Sequence, residues 1–108
     1  MLNPKELEIL NILWGTDQAL TCDDIVKRGG GLSQSTVLYV LRKLLNEGLI
    51  ECTGKAYSGN VLSRIYIPTA KAKVAVLTHI EEQVEVVKNV VSTDDIMSWL
   101  IDRAILEV

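Results

Sequence analysis

Apolar residues recur along this chain at two periods. They fall three and four positions apart up to residue 46, alternate with polar residues from about 50 to 67, and return to the helical spacing after 70. The first stretch, "NPKELEILNILWG", has Asn3 as a cap, Pro4 at the first helical position and Glu6 three residues after the cap. Leu7, Leu10 and Trp14, with Ile9 and Leu13 beside them, form a wide apolar face, and Gly15 supplies the stop. "TCDDIVKRGGG" repeats the logic on a smaller scale. Thr21 caps, Asp24 completes a capping-box-like pair, and Lys27 and Arg28 lie at the partly negative end. After the Gly29-Gly30-Gly31 turn, Ser33 caps a third helix from about Gln34 to Asn46 that stops at Gly48. Val37, Leu41, Leu44 and Leu45 share one of its faces.

Two strand-like runs follow around a Ser58-Gly59-Asn60 turn. Ile50 and Cys52 alternate with Glu51 and Thr53, and Ile65 and Ile67 alternate with Arg64 and Tyr66. The isoleucines are therefore expected to face inward, and Pro68 ends the second strand. Three helices and a hairpin, the second and third helices joined by a tight turn, predict a winged helix-turn-helix over residues 1–69. From 70 to 92, Leu77, Ile80, Val84, Val87 and Val91 recur at heptad spacing, flanked by Glu81, Glu82, Glu85 and Lys88. Ser92 and Asp95 then cap a last helix that is apolar on nearly two faces: Ile96, Met97, Trp99, Leu100, Ile101, Ala104, Ile105 and Leu106. One chain of this size cannot easily cover both faces. Residues 70–108 are therefore expected to form a C-terminal helical dimerisation region, with Leu77, Ile80, Val84, Val87, Val91, Ile96, Trp99 and Leu100 at the contact. The predicted fold class is mainly α with a small β-hairpin.

Composition changes this picture in two places. An apolar fraction of 48% leaves surplus apolar surface on a 108-residue chain, which again favours an oligomer. The net charge of −3 argues at first against a nucleic-acid partner, but its distribution reverses that. Residues 1–26 carry one lysine against five carboxylates, and residues 74–108 carry two cations against seven. Residues 27–73 carry eight cations against two carboxylates, a net +6. A basic middle between acidic ends points to an anionic partner. No apolar run approaches the roughly 20 residues of a membrane helix. Met1 leads directly into a helix start, so no signal peptide is expected. Cys22 and Cys52 match no metal spacing and are expected as reduced thiols in a cytoplasm.

A third helix that packs by Val37, Leu41 and Leu44 offers its other face and its N-terminus outward. In a helix-turn-helix that face enters the major groove of double-stranded DNA. Gln34, Ser35, Thr36 and Tyr39 lie toward the leading end, where base edges are in reach; Leu38 would touch a thymine methyl or pack on the second helix. Arg42 and Lys43 are placed for backbone phosphates, and Lys55, Ser58, Asn60 and Arg64 on the wing for a neighbouring phosphate or the minor groove. Tyr57 and Tyr66 are expected to pack within the hairpin. The alternative is a winged helix used for protein–protein assembly, with this face simply solvated. Catalysis finds little support. Asp23 and Asp24, in a first helical turn, read as dipole partners rather than a catalytic pair. The Gly run lacks the Lys-Ser/Thr of a phosphate loop. His79, the one histidine, has no Cys or carboxylate partner at a useful spacing. No enzyme activity, metal or cofactor is expected.

"ELEILNILW", "STVLYVLRKLLNEGLIE" and "RIYIP", in that order and spacing, resemble the penicillinase-repressor family of bacterial transcription regulators. The resemblance covers roughly residues 3 to 80 and is carried by Trp14, Thr36-Val37, Gly48-Leu49-Ile50 and Tyr66-Ile67-Pro68. The MarR and PadR groups share its middle piece. The resemblance implies a homodimer, joined through C-terminal helices, that binds a palindromic operator and blocks transcription. The chain departs from the family in three ways. Family repressors are relieved by cleavage at an Asn-Phe bond in the tail, and this chain has no Phe; the cysteine-rich metal motif of a copper-responsive branch is also absent. Leu38 stands where the family usually has a basic residue. Neither β-lactam nor copper sensing is implied.

Overall fold

The computed structural model describes residues 2–106, with side chains as far as Ala104. The places expected for Ile105 and Leu106 on the apolar faces of the last helix lie outside it. The element order is α1 (Pro4–Trp14), α2 (Cys22–Arg28), α3 (Gln34–Asn46), β1 (Ile50–Ser58), β2 (Val61–Pro68), α4 (Ala70–Val86) and α5 (Thr93–Leu106). This is the winged helix-turn-helix followed by two helices.

Local chemistry sets the helix starts. At α1 the Glu6 amide donates to Asn3 Oδ1 and the Asn3 amide donates to Glu6 Oε1, both at 2.9 Å. At α2 the Asp24 amide donates to Thr21 Oγ1 at 3.1 Å and the Thr21 amide to Asp24 Oδ2 at 3.0 Å. Each reciprocal pair satisfies donors that a helix start leaves open. At the far end of α3, Gly48 has φ +73°, a conformation that costs a side-chain-bearing residue. There the Leu49 amide donates to the Leu44 carbonyl at 2.9 Å and the Gly48 amide to Leu45 at 3.0 Å, a Schellman ending that turns the chain into β1.

The chain divides into two compact units, one up to Val76 and one from Leu77. The core of the first unit joins Ile9, Leu10 and Leu13 of α1, Ile25 of α2, and Val37, Val40, Leu41 and Leu44 of α3. Ala72 is fully buried and Ala75 and Val76 pack against the same core, so this unit runs past residue 69 into the opening turns of α4. Trp14, read as part of the α1 core face, is 47% exposed. The Lys73 ammonium lies over its ring at 5.4 Å from the centroid, a cation–π contact at the edge of the core.

The two strands pair antiparallel around a two-residue Gly59-Asn60 turn, with a register shift between Cys52 and Gly54. Gly59 has φ +64° and Asn60 does not, the pattern of a type II′ hairpin turn. The expected facing of β2 is inverted. Tyr66 stands opposite Cys52 and is buried, whereas Ile65 and Ile67 fall on the other face and are only half-buried. The cause is Leu20, in the α1–α2 connection, which exchanges backbone bonds of 3.1 and 2.9 Å with Tyr66. That pairing brings Tyr66 under cover, and a period of two carries the change through the strand.

In the second unit the heptad run is interrupted. α4 ends at Val86, and Val87 and Val91 fall in a turn where the Val90 and Val91 amides donate to the Val87 carbonyl at 2.9 and 3.0 Å. Of the expected seam only Leu77, Ile80 and Val84 lie on α4. Val84, Val86, Val87, Val90 and Val91 are stiff β-branched residues, and Ser92 starts a competing helix directly after them. The Ser92 amide donates to Asp95 Oδ2 at 2.9 Å and the Asp95 amide to Ser92 Oγ at 3.0 Å. The backbone bond from Ser92, with its hydroxyl adding, holds the Asp95 carboxyl below the usual carboxylate range. Its stabilising contribution is present above the ordinary carboxylate pKa and is lost as pH falls through the depressed one. Ser92→Ala should accordingly speed amide hydrogen exchange in the first turns of α5 about fivefold, a typical loss for a cap. Unchanged exchange there would show that this box does not hold the helix.

Candidate nucleic-acid interface

The inward face of α3 fixes what its other side presents. With Val37, Val40, Leu41 and Leu44 buried, successive steps of about 100° put Ser35, Tyr39, Arg42 and Asn46 along the most exposed line. Tyr39 is 71% exposed. Gln34, Leu38, Arg42 and Leu45 form the adjoining flank toward the wing. Thr36 and Lys43 form the flank toward α1 and are half-buried.

The wing-side flank and β2 enclose one groove of about 380 Å³, lined by Gln34, Leu38, Arg42 and Leu45 of α3, Cys22 of α2, and Ser63, Arg64 and Tyr66 of β2. Four of the expected residues (Gln34, Leu38, Arg42 and Arg64) therefore meet at one place. The groove has two guanidinium groups at its edges and an apolar floor. Burial pushes the Cys22 thiol and the Tyr66 phenol up from their ordinary pKa values. Neither offers an anion at neutral pH, and the groove keeps its cationic character. Ser63 was not singled out in the sequence, Cys22 was read only as a thiol, and Leu45 was placed on the packing face of α3. Leu45 carried a signal, since it continues the ridge of Gln34, Leu38 and Arg42 three residues on.

The N-terminus of α3 carries three hydroxyls bound to one another. Ser33 Oγ donates to Thr36 Oγ1 at 2.8 Å, accepts from the Thr36 amide at 3.2 Å, and lies 3.3 Å from Ser35 Oγ. Ser33 is thus committed to the cap, while Ser35, on the most exposed line, keeps hydrogen-bonding capacity for an outside partner. A helix N-terminus with free donors also favours a phosphate.

The other expected residues divide. Lys55, Asn60 and Arg64 on the wing are exposed. Ser58 is not free: its hydroxyl donates to Asp23 Oδ2 at 3.0 Å, and Asp23 also pairs with Lys27 at 3.0 Å. Lys27, then Ser58, hold the Asp23 carboxyl below the usual range, and the tip of β1 is tied to α2. Tyr57, expected to pack, is 75% exposed. Lys43, expected at a phosphate, has an internal partner: its ammonium lies 3.2 Å from Glu6 Oε2. Glu6 is fully buried, although the sequence marked it only as a capping residue.

Among the described residues no group of three or more His, Cys, Asp or Glu is placed to hold a metal ion, and no helix is long and apolar enough to cross a membrane. Comparison with curated protein sequences gives no match. Among solved structures, the chain is similar to a MepR variant from S. aureus, with 20% identity, 98% of this chain and 78% of that one covered, and a TM-score of 0.62. It is similar to Bacillus subtilis PadR in complex with operator DNA, with 16% identity, coverage of 94% and 72%, and a TM-score of 0.59. NMB1585, a MarR family regulator from Neisseria meningitidis, shares 24% identity over 98% of this chain and 74% of that one, with a TM-score of 0.53. These likenesses establish the winged-helix fold. The family model described as penicillinase repressor matches residues 2–107, essentially the whole sequence, and the chain therefore belongs to the penicillinase repressor family of winged-helix, DNA-binding transcription regulators.

Proposed function

We propose that this protein is a repressor that acts in the bacterial cytoplasm as a homodimer on a palindromic operator. Each subunit would place α3 in a major groove, the two grooves about 34 Å apart along the duplex. The observation that carries the reading is the convergence of Gln34, Leu38, Arg42 and Arg64 on one open groove beside the exposed line of α3. Gln34 has the amide that pairs with adenine, Leu38 suits a thymine methyl, and the arginines suit phosphates. Lys55 and Asn60 extend the contact along the wing.

Dimerisation is supported by the second unit. Leu77 and Ile80 of α4 and Met97, Trp99, Leu100 and Ile101 of α5 are all more than half exposed in the single chain. Exposed apolar residues at this density mark an interaction surface. Val91, Ile96, Trp99 and Leu100, with Asp95, also line an apolar hollow of about 380 Å³, suited to a side chain of a second copy.

Fluorescence-anisotropy titration of duplex DNA at several salt concentrations tests the reading. Four to six phosphates per dimer predict a slope of log affinity on log salt of about −4 to −5. Gln34→Ala should leave that slope unchanged and narrow the gap between a selected duplex and its scrambled counterpart by about 1–3 kcal/mol. A gap that stays as wide would remove Gln34 from base recognition. A folded protein with no salt-sensitive DNA binding would favour the protein–protein assembly alternative.

A further inference from the structure

Glu6 is a buried carboxylate with no part in the contacts proposed above. Its Oε1 is held by the Asn3 amide, so the group cannot swing out of α1 without breaking the capping box. Its Oε2 accepts no hydrogen bond of good geometry, and the Lys43 ammonium at 3.2 Å supplies the compensating charge. Lys43 is correspondingly committed. Contact with Glu6, first, then the charge of Glu47 and the Tyr39 phenol, raises its pKa above the usual lysine value. Among the described residues no other cation pairs with this carboxylate, so a phosphate would have to draw the ammonium away from it uncompensated.

We propose that Glu6 and Lys43 form a clamp that sets the roll of α3 against α1, making Lys43 a positioning residue for DNA recognition and not a phosphate ligand. The inference rests on the DNA-binding reading of α3. Lys43 stands on the α1 flank of α3, away from the groove that gathers Gln34, Leu38 and Arg42. Glu6 has no exposed surface and cannot meet DNA itself. Roll matters because side-chain tips stand about 5–6 Å from the helix axis. A turn of about 20° moves them about 2 Å, enough to break a hydrogen bond to a base edge.

The two roles for Lys43 predict opposite results for a residue that never touches DNA. If Lys43 were a phosphate ligand, Glu6→Gln would release it, tightening binding and steepening the salt dependence. As a clamp, Glu6→Gln should weaken binding to a fluorescein-labelled duplex selected on the wild-type protein by about tenfold, with less loss on a scrambled duplex and the salt slope unchanged. Lys43→Gln should match it, and the double variant should lose no more than either single one. Lys43→Arg keeps the pair and should retain both affinity and sequence preference. Circular dichroism at the assay temperature shows that each variant is folded, and Lys43 is exposed enough to tolerate the change.

Tighter, more salt-sensitive binding by Glu6→Gln would overturn the clamp. So would a flattened slope in Lys43→Gln, or unchanged affinity in both single variants. Arg42→Ala keeps the two levels apart: if it flattens the slope, the DNA reading stands whichever way the pair behaves. A wild-type protein that binds no DNA removes the reading and the clamp with it.

Discussion

Leu44→Ala should lower the stability of the first unit by about 3 kcal/mol, the usual range for a fully buried leucine being about 2–5 kcal/mol. Leu44 has no exposed surface. It stands on the inward line of α3 with Val37, Val40 and Leu41, in the core that also holds Ile9, Leu10 and Leu13 of α1. The lost methyl groups give up their burial and leave a cavity that a small, close-packed core cannot collapse around. For a unit of this size, about 1 kcal/mol moves the melting temperature by about 4–8 °C, so a fall of roughly 12–24 °C is expected in calorimetry. DNA binding would then weaken only through loss of folded protein: affinity per folded molecule and its salt slope should match the wild type. A melting temperature within a few degrees of the wild type would contradict the burial of Leu44 in the core shared by α1 and α3.

The second large effect has the opposite character. Arg42→Ala/Arg64→Ala should leave the melting temperature nearly unchanged, because both side chains are exposed. It removes two cations per subunit, four per dimer, and at about 0.9 per phosphate the salt slope should flatten from about −4 or −5 to about −1. At about 0.1 M salt the affinity should fall by roughly a hundredfold or more. The pair combines one residue from α3 with one from β2, so it tests whether helix and wing meet the same duplex. A double variant with the wild-type slope would place the phosphate contacts elsewhere. If only Arg42 matters, helix 3 binds DNA and the wing stays clear of it.

These two variants separate what was legible in the sequence from what was not. The helix starts were legible because a capping box closes within four residues; Asn3 with Glu6 and Thr21 with Asp24 need no information from the rest of the chain. The exposed line of α3 was legible for the same reason, since one buried face dictates the other. Three features depended on distant residues. The burial of Glu6 follows from the crossing of α1 and α3, which brings Lys43 to it. The inverted facing of β2 follows from Leu20, which by itself reads as part of a connection. The groove beside α3 needed Ser63, Arg64 and Tyr66 folded against Gln34 and Leu38, a meeting that no local pattern encodes. The heptad reading of Val87 and Val91 failed differently. The heptad spacing continues through Val87 and Val91, but a dense run of valines makes a weak, short seam that does not sustain the helix against a strong cap at Ser92.

The pairing of Leu20 with Tyr66 bears on how this protein comes to exist on the ribosome. It closes a loop that contains all of α2, α3 and β1, every part of the proposed interface within residues 20 to 66. The three helices are neighbours in sequence and share one core, so they can pack on one another once α3 has been made. The closing pair joins positions far apart in the chain, so its loop entropy must be met before its bonds return anything. Until Tyr66 has been synthesised and has found Leu20, a nascent chain carries the proposed recognition helix without the strand that walls its groove. On the proposed reading of α3, competence for specific binding would arrive late and in one step.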